Sequence, residues 1–172
     1  ALANHNFDQV IILSGTYKSR FRDDQVYPFY ANPYFKAFVP LTQACPNSWI
    51  IYRPDTKPLL LLYQPDDYYH ANTDLSDQGW VDQFEIKILL RAEEARAYFG
   101  KLKYCAFIGE IPPVIDRGGA HNTGGMLAES GIGAWVLGEK NPKGLLAELD
   151  WHRAYKTPYE QACIREANRI SA

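Results

Sequence analysis

The chain has 172 residues and a formal net charge of −2, and 47% of its residues are hydrophobic against 22% charged. This length and composition are typical of a globular domain with a sizeable core, and the near-neutral charge argues against nucleic acid or an anionic membrane surface as a partner. No apolar run reaches the ~18 residues that a membrane-spanning helix needs.

Apolar runs of strand length predict a sheet. They occupy Asp8–Gly15, Ser48–Arg53, Pro58–Tyr63, Phe84–Leu90 and Tyr104–Gly109. Because only the turn-forming stretch Pro54-Asp55-Thr56-Lys57 separates the second run from the third, those two runs should form a hairpin. The helix formers of Arg91–Phe99 end at Gly100, a typical helix stop. This alternation predicts an α/β domain with a mixed β-sheet and helices packed on it.

Two stretches lack a regular pattern. Phe21–Phe38, FRDDQVYPFYANPYFKAF, is too rich in prolines and turn residues for a helix, so we expect an irregular segment. Asp116–Gly133, DRGGAHNTGGMLAESGIG, is rich in glycine and has room for one short helix. Its glycines match neither GxGxxG nor GxxxxGK[ST], so no phosphate-binding loop is predicted there.

The segment after Arg153 carries the clearest local signal in the chain. Thr157 suits the N-cap of a helix, Pro158 its first position and Glu160 its third, and apolar residues then recur at helical spacing. We therefore predict a helix from Thr157 to the last residue. Because the helix lacks a stop signal and the chain begins without Met, we expect a piece of a longer protein, although a simple C-terminal helix stays an alternative.

Cysteine and histidine residues offer no complete catalytic or metal-binding motif. Cys45, Cys105 and Cys163 are widely spaced and form no CxxC pair, which favours a reduced, cytoplasmic protein over a zinc finger or a disulfide framework. A metal ion could gather Asp66, Asp67 and His70, but adjacent acidic residues on a loop are more often a solvated turn. Ser14-Gly15, at a strand end, suits either a functional loop or an ordinary turn.

The neighbouring carboxylates Asp23 and Asp24 raise the question of acid–base catalysis. Adjacent residues on an extended chain point to opposite faces, so both cannot easily serve one site. Arg20 and Arg22 flank the pair and should keep it ionised. We expect Asp23 to be a structural partner of one of these arginines and Asp24 to contact a ligand. The aromatic residues that follow suit either recognition of a ligand or partner, or the edge of a core.

Several longer motifs resemble the bacterial proline dipeptidases, and in particular the branch that includes the organophosphorus acid anhydrolases. They are RDDQVYPFYANPYFKAFVPL, NSWIIY, KPLLLLYQPDDYYH, NPKG and HRAYKTPYEQACIREANRIS, in that order. Phe38 and Tyr69 stand where that branch has Trp. The resemblance covers nearly the whole chain, and Ile111–Gly138 departs from it by being longer and richer in glycine.

The resemblance implies a two-domain parent that hydrolyses Xaa-Pro dipeptides. Residues 1–150 would form its N-terminal domain, a mixed sheet with helices on both faces. Residues 151–172 would be the linker and first helix of a "pita-bread" catalytic domain. That domain binds two metal ions, usually Mn, through two Asp, one His and two Glu, all expected beyond Ala172. The chain itself would then hold no catalytic residue, metal or cofactor, and would be inactive alone.

The resemblance also implies a homodimer in which this domain contributes to the wall of a substrate pocket. Carried over, the substrate-binding residues are Asp24, Tyr69 and His70. A carboxylate at position 24 can bind the free ammonium of a dipeptide, and an aromatic ring at position 69 can cover proline. Because Tyr replaces Trp at that position, we expect an altered side-chain preference.

Two other functions stay open at this level. One is a stand-alone peptide-binding or interaction module, a pseudoenzyme without catalysis. The other is an independent enzyme that uses a metal ion held by Asp66, Asp67 and His70.

Overall fold

A six-stranded mixed sheet forms the centre of the fold. The computed structural model describes residues 1–67, 73–76, 78–100, 104–110 and 138–171. The strands are β1 (Gln9–Leu13), β2 (Trp49–Tyr52), β3 (Leu59–Tyr63), β4 (Glu85–Leu89), β5 (Cys105–Ile108) and β6 (Glu139–Lys140), and their order is β4-β3-β2-β1-β5-β6. The β2–β3 hairpin is antiparallel, as is β1 with β2, whereas β1–β5, β3–β4 and β5–β6 are parallel. The predicted mixed sheet and its five strands are confirmed, and the two-residue β6 was not predicted.

Both faces of the central strand β1 are buried, which explains the apolar run from Val10 to Leu13. Val10 and Ile12 pack on the face that is covered by the 3₁₀ helix Leu2–His5 and by two α-helices described below. Ile11 and Leu13 pack on the other face, beneath the 3₁₀ helix Ala92–Tyr98. The sheet therefore carries helices on both faces, as the family resemblance implied.

The first α-helix contradicts the prediction of an irregular segment. Helix α1 spans Pro33–Phe38, inside the stretch that was expected to be non-helical. Its N-cap is Asn32, whose Oδ1 accepts a hydrogen bond from the Tyr34 N–H at 3.0 Å. Proline is compatible with the first turn of a helix, because that position has no intrahelical partner for its N–H. Counting Pro33 as a helix breaker was the error.

The remaining helices follow the sequence more closely. Ala92–Tyr98 is helical as predicted but has 3₁₀ geometry, and Gly100 follows it with a φ of +66°. Helix α2 (Lys143–Ala154) was not predicted. A further 3₁₀ helix, Val81–Gln83, precedes β4. None of the helices that the structure describes is long and apolar enough to cross a bilayer.

Helix α3 (Pro158–Ser171) begins where its capping signal predicts. The Thr157 N–H donates to Glu160 Oε2 at 2.7 Å, and the Glu160 N–H donates to Thr157 Oγ1 at 3.2 Å. These reciprocal bonds form a capping box, which satisfies N–H groups that the first turn leaves unpaired. The glycine-rich stretch 116–133 lies outside the described residues.

Candidate functional site

An exposed hairpin between β1 and α1 carries the acidic pair. We call residues 18–27 the arm. The Tyr27 N–H donates to Lys18 O at 2.8 Å, the Arg20 N–H donates to Gln25 O at 2.9 Å, and Ser19 pairs with Val26. Residues 21–24 form its tip. The arm is therefore a short antiparallel ribbon built from backbone hydrogen bonds.

Asp23 and Asp24 lie at this tip, and the structure separates their roles. Asp23 Oδ1 accepts a hydrogen bond from the Gln25 N–H at 3.1 Å, which stabilises the turn. Asp24 is exposed, and no described residue forms an ion pair with its side chain. A carboxylate held on an ordered hairpin and facing solvent is well placed to accept a hydrogen bond from a ligand or partner cation.

Asp23 is a partner of Arg20 through the backbone, and among the described residues neither Arg20 nor Arg22 forms an ion pair with its carboxylate. The Arg20 guanidinium lies over the Tyr27 ring, 5.5 Å from its centroid, and that of Arg22 lies 5.7 Å from the centroid of Phe21. The hairpin directs both arginines toward aromatic rings, where cation–π attraction replaces the expected pairing. The hydrogen bond between the two residues runs from the Asp23 N–H to Arg20 O at 3.3 Å.

Large apolar side chains are exposed on and beside the arm. Phe21 is 89% exposed and Tyr30 is 85% exposed, and Val26 and Tyr27 are also exposed. Such groups on an ordered, projecting hairpin are typical of surfaces that contact another protein or a ligand.

Two side chains fasten the carboxyl ends of the parallel strands β1 and β5, next to the arm. Asn32 Nδ2 donates to Leu13 O, at the end of β1, at 3.0 Å. Asn141, just before α2, donates from Nδ2 to Gly109 O at 2.9 Å and accepts the Gly109 N–H on Oδ1 at 3.0 Å. Gly109 has a φ of +156°, and a Cβ there would lie 3.0 Å from Leu13 Cβ. This close approach requires glycine and keeps the two strand ends together.

A third contact connects α1 to the end of α2. The Tyr34 hydroxyl donates to Asp150 Oδ1 at 2.9 Å, and the Arg153 guanidinium lies 4.9 Å from the centroid of the Tyr34 ring. Burial, together with the Asp150 carboxylate, raises the pKa of Tyr34, so its hydroxyl stays a hydrogen-bond donor. The start of α1 is thus held both to the end of β1, through Asn32, and to the end of α2, through Tyr34.

The other predicted site residues are distributed differently. Tyr69 and His70 lie outside the described residues, so their proximity to Asp24 stays a prediction. Asp66 and Asp67 are exposed. Within the described ranges, no group of three or more His, Cys, Asp or Glu side chains is arranged to hold a metal ion.

Ser14 has a structural role. It is fully buried, and its Oγ donates to Cys45 O at 2.6 Å and accepts the Ser48 N–H at 3.0 Å. These bonds agree with the turn interpretation of Ser14-Gly15. Asn32 and Asn141 were not predicted as functional residues, although each precedes a proline at a helix N-terminus, which is a detectable signal: Pro33 is the first residue of α1 and Pro142 the N-cap of α2.

Comparison with known proteins identifies the family. Residues 1–124 match the family described as "Xaa-Pro dipeptidase, N-terminal domain". A protein named Xaa-Pro dipeptidase from Shewanella amazonensis is 39% identical over 171 residues, which cover 99% of this chain and 35% of that protein. One from Stenotrophomonas maltophilia is 38% identical over 168 residues, 97% of this chain and 33% of the relative. One from Xanthomonas euvesicatoria is 37% identical over 172 residues, 99% of this chain and 34% of the relative. The chain spans about a third of the length of these curated relatives.

Proposed function

The chain belongs to the family of Xaa-Pro dipeptidase N-terminal domains, and we propose that it serves as the non-catalytic N-terminal domain of a metal-dependent enzyme that hydrolyses Xaa-Pro dipeptides. The observation that carries this proposal is the family match over residues 1–124. In this proposal two divalent metal ions, expected to be Mn, are bound by the rest of the protein. This chain alone is then inactive. A cytoplasmic location is part of the same proposal.

The arm is the part of this domain that we assign to the substrate pocket. Asp24 is exposed at the tip of a hydrogen-bonded hairpin and has no ion-pair partner among the described residues, so its carboxylate is available to a ligand. A dipeptide presents a free ammonium, which a carboxylate binds by a charge-assisted hydrogen bond. A fixed carboxylate near the ammonium also excludes longer peptides. Tyr69 and His70 complete this proposed wall on the evidence of the sequence motif alone.

Dimer formation is supported by the same surface. Phe21, at the tip of the arm, is almost fully exposed in this chain, and the arginine side chains beside it lie over aromatic rings. Large exposed aromatic side chains that flank arginines are enriched at the centres of protein interfaces. We therefore assign the arm to contact with a second subunit, where it can reach a pocket that its own subunit does not contain.

Substitution of Asp24 in the whole protein tests the assignment of the arm. Asp24→Asn keeps the size of the side chain and removes its charge. The KM for an Xaa-Pro dipeptide should rise by about ten- to a hundredfold, since a hydrogen bond to a charged group contributes about 1.5–3 kcal/mol, while kcat should change less. Asp55→Asn is the matched control, because Asp55 is also an exposed turn carboxylate. An effect mainly on kcat would argue for a role in the chemical step, and unchanged kinetics would remove Asp24 from the pocket.

A stand-alone binding module is the second candidate, favoured by the ordered, exposed arm itself. The sequence beyond Ala172 separates the two. The dipeptidase proposal requires two Asp, one His and two Glu ligands in a following domain. If they are missing, the chain is a binding module and the proposal fails.

A further inference from the structure

The strand order of the sheet reverses between β1 and β5. From β1 the sheet continues through β2, β3 and β4 on one side, whereas β5 and β6 lie on the other side. β1 and β5 are parallel, so their carboxyl ends meet at the same edge. In open α/β sheets, ligands bind outside the carboxyl ends of the strands at such a reversal. The topology therefore indicates a ligand site at this edge, at the base of the arm.

A cavity occupies this position. Its volume is about 530 Å³, within the range of about 300–1,000 Å³ typical of small-molecule pockets. Its walls are residues 14–16 after β1, residues 108–110 at the end of β5 and the aromatic and proline-rich segment 27–34. We call this cavity the crevice. Because Asn32 and Asn141 hold both strand ends in place, the crevice has a fixed floor.

Among the described residues that line the crevice, one cation and one anion lie side by side. Lys18 Nζ lies 3.0 Å from Glu110 Oε1, and the two side chains are 64% and 66% exposed. An ion pair so exposed is weak. A ligand that carries both charges can replace it, with its carboxylate on Lys18 and its ammonium on Glu110. A ligand with a single charge would leave one of the two residues without a counter-ion.

The remaining surface of the crevice is suited to an apolar ring. Pro28, Phe29 and Tyr30 line it on the side of the arm. Aromatic and proline rings provide flat contact area for a small saturated ring. The volume leaves room for a single amino acid or a very short peptide.

We propose that the crevice is a binding site for a zwitterionic amino acid with an apolar ring, the chemistry of free proline. It is distinct from the proposed substrate contact at the tip of the arm, because the Lys18 and Tyr27 that line it form the base of the arm. The choice of proline as a probe rests on the proposed function, in which proline is a reaction product. A bound ligand touches the element that carries Asp24.

Titration of the ¹⁵N-labelled 172-residue chain with L-proline tests the site. The backbone amides of Gly15 and Gly109 and the side-chain amide of Asn141 should shift and saturate. L-Prolinamide lacks the carboxylate and N-acetyl-L-proline lacks the ammonium. Each should therefore bind at least about tenfold more weakly than L-proline. Absence of saturable shifts at Gly15 and Gly109, or equal binding of prolinamide and proline, overturns the proposal.

Charge-neutral variants provide the second part of the test. Lys18→Gln and Glu110→Gln should each weaken proline binding about tenfold. Lys87→Gln is the matched control, because Lys87 forms a similar exposed ion pair with Glu85, 3.2 Å apart, on the edge strand β4. Equal affinity of all three variants refutes the assignment of the charges, provided that their near-ultraviolet spectra show the wild-type fold. Proline binding is measured without turnover, so its absence leaves the dipeptidase proposal standing. Conversely, absence of dipeptide hydrolysis by the whole protein leaves the measured proline affinity unchanged.

Discussion

Asn32 joins the end of β1 to the start of α1, and its substitution tests how these two elements are held together. Its Oδ1 accepts the Tyr34 N–H at 3.0 Å, and its Nδ2 donates to Leu13 O at 3.0 Å. The same Nδ2 lies 3.5 Å from Ile108 O, at the end of β5. Asn32→Ala removes both functions of the side chain. Asn32→Asp keeps the oxygen that caps the helix and removes only the donor.

The expected losses follow from these contacts. Loss of an N-cap side chain costs about 1 kcal/mol. Loss of the hydrogen bond from the Asn32 side-chain amide to Leu13 O costs about 1 kcal/mol more. Asn32→Ala should therefore lower the free energy of unfolding by ~2 kcal/mol, or the Tm by ~4–8 °C for a chain of this size. Asn32→Asp should cost ~1–3 kcal/mol, because it turns a carboxylate oxygen toward the Leu13 carbonyl. In a helix without this contact, Asn and Asp are about equally good N-caps.

Urea unfolding followed by circular dichroism measures both variants. Asn4→Ala is the matched control, since Asn4 is exposed and its side chain forms no hydrogen bond within the described structure. It should change the free energy of unfolding by no more than ~0.5 kcal/mol. An Asn32→Asp variant as stable as the wild type would show that the amide donor contributes nothing. The proposed anchoring of the strand ends by Asn32 would then be wrong.

Three further predictions concern thiols, pH and the pocket wall. A thiol reagent at neutral pH should label exposed Cys163 quickly and the buried Cys45 and Cys105 only on unfolding. The reason is that burial raises the pKa of both buried thiols to about 11. Fast labelling of a second thiol in the native chain would contradict this. Hydrogen bonds from the Thr157 N–H and hydroxyl hold the pKa of Glu160 below its usual 4.5. Its stabilising effect on α3 is therefore present above pH 4.5 and lost as the pH falls through the lower folded value. Acid fraying of the first turn, followed by amide exchange, should be weaker in Glu160→Gln, and an identical pH profile would exclude the carboxylate as its cause. In the whole protein, Tyr69→Trp should change the preference for the residue before proline, and an unchanged profile would place Tyr69 outside the pocket.

The sequence alone was sufficient where the physical signal is local. A strand buried on both faces is a continuous apolar run, so β1 and β5 could be recognised without knowing their neighbours. The capping box at Thr157 is complete within four residues, and α3 begins where it predicts. The two-residue β6 has no such signal, because a strand this short shows no periodicity.

The tertiary structure decided which distant residues meet. Lys18 and Glu110 are 92 positions apart and come together only because β1 pairs in parallel with β5. Arg20 had several possible partners within a few residues, and the geometry of the hairpin selected the Tyr27 ring over the neighbouring carboxylates. The motifs of the sequence indicated Asp24 as a ligand contact, and the fold added its exposure at the tip of the arm. Local patterns specify elements because their hydrogen bonds close within a few residues, whereas sites form by pairing across the sheet, which no local pattern encodes.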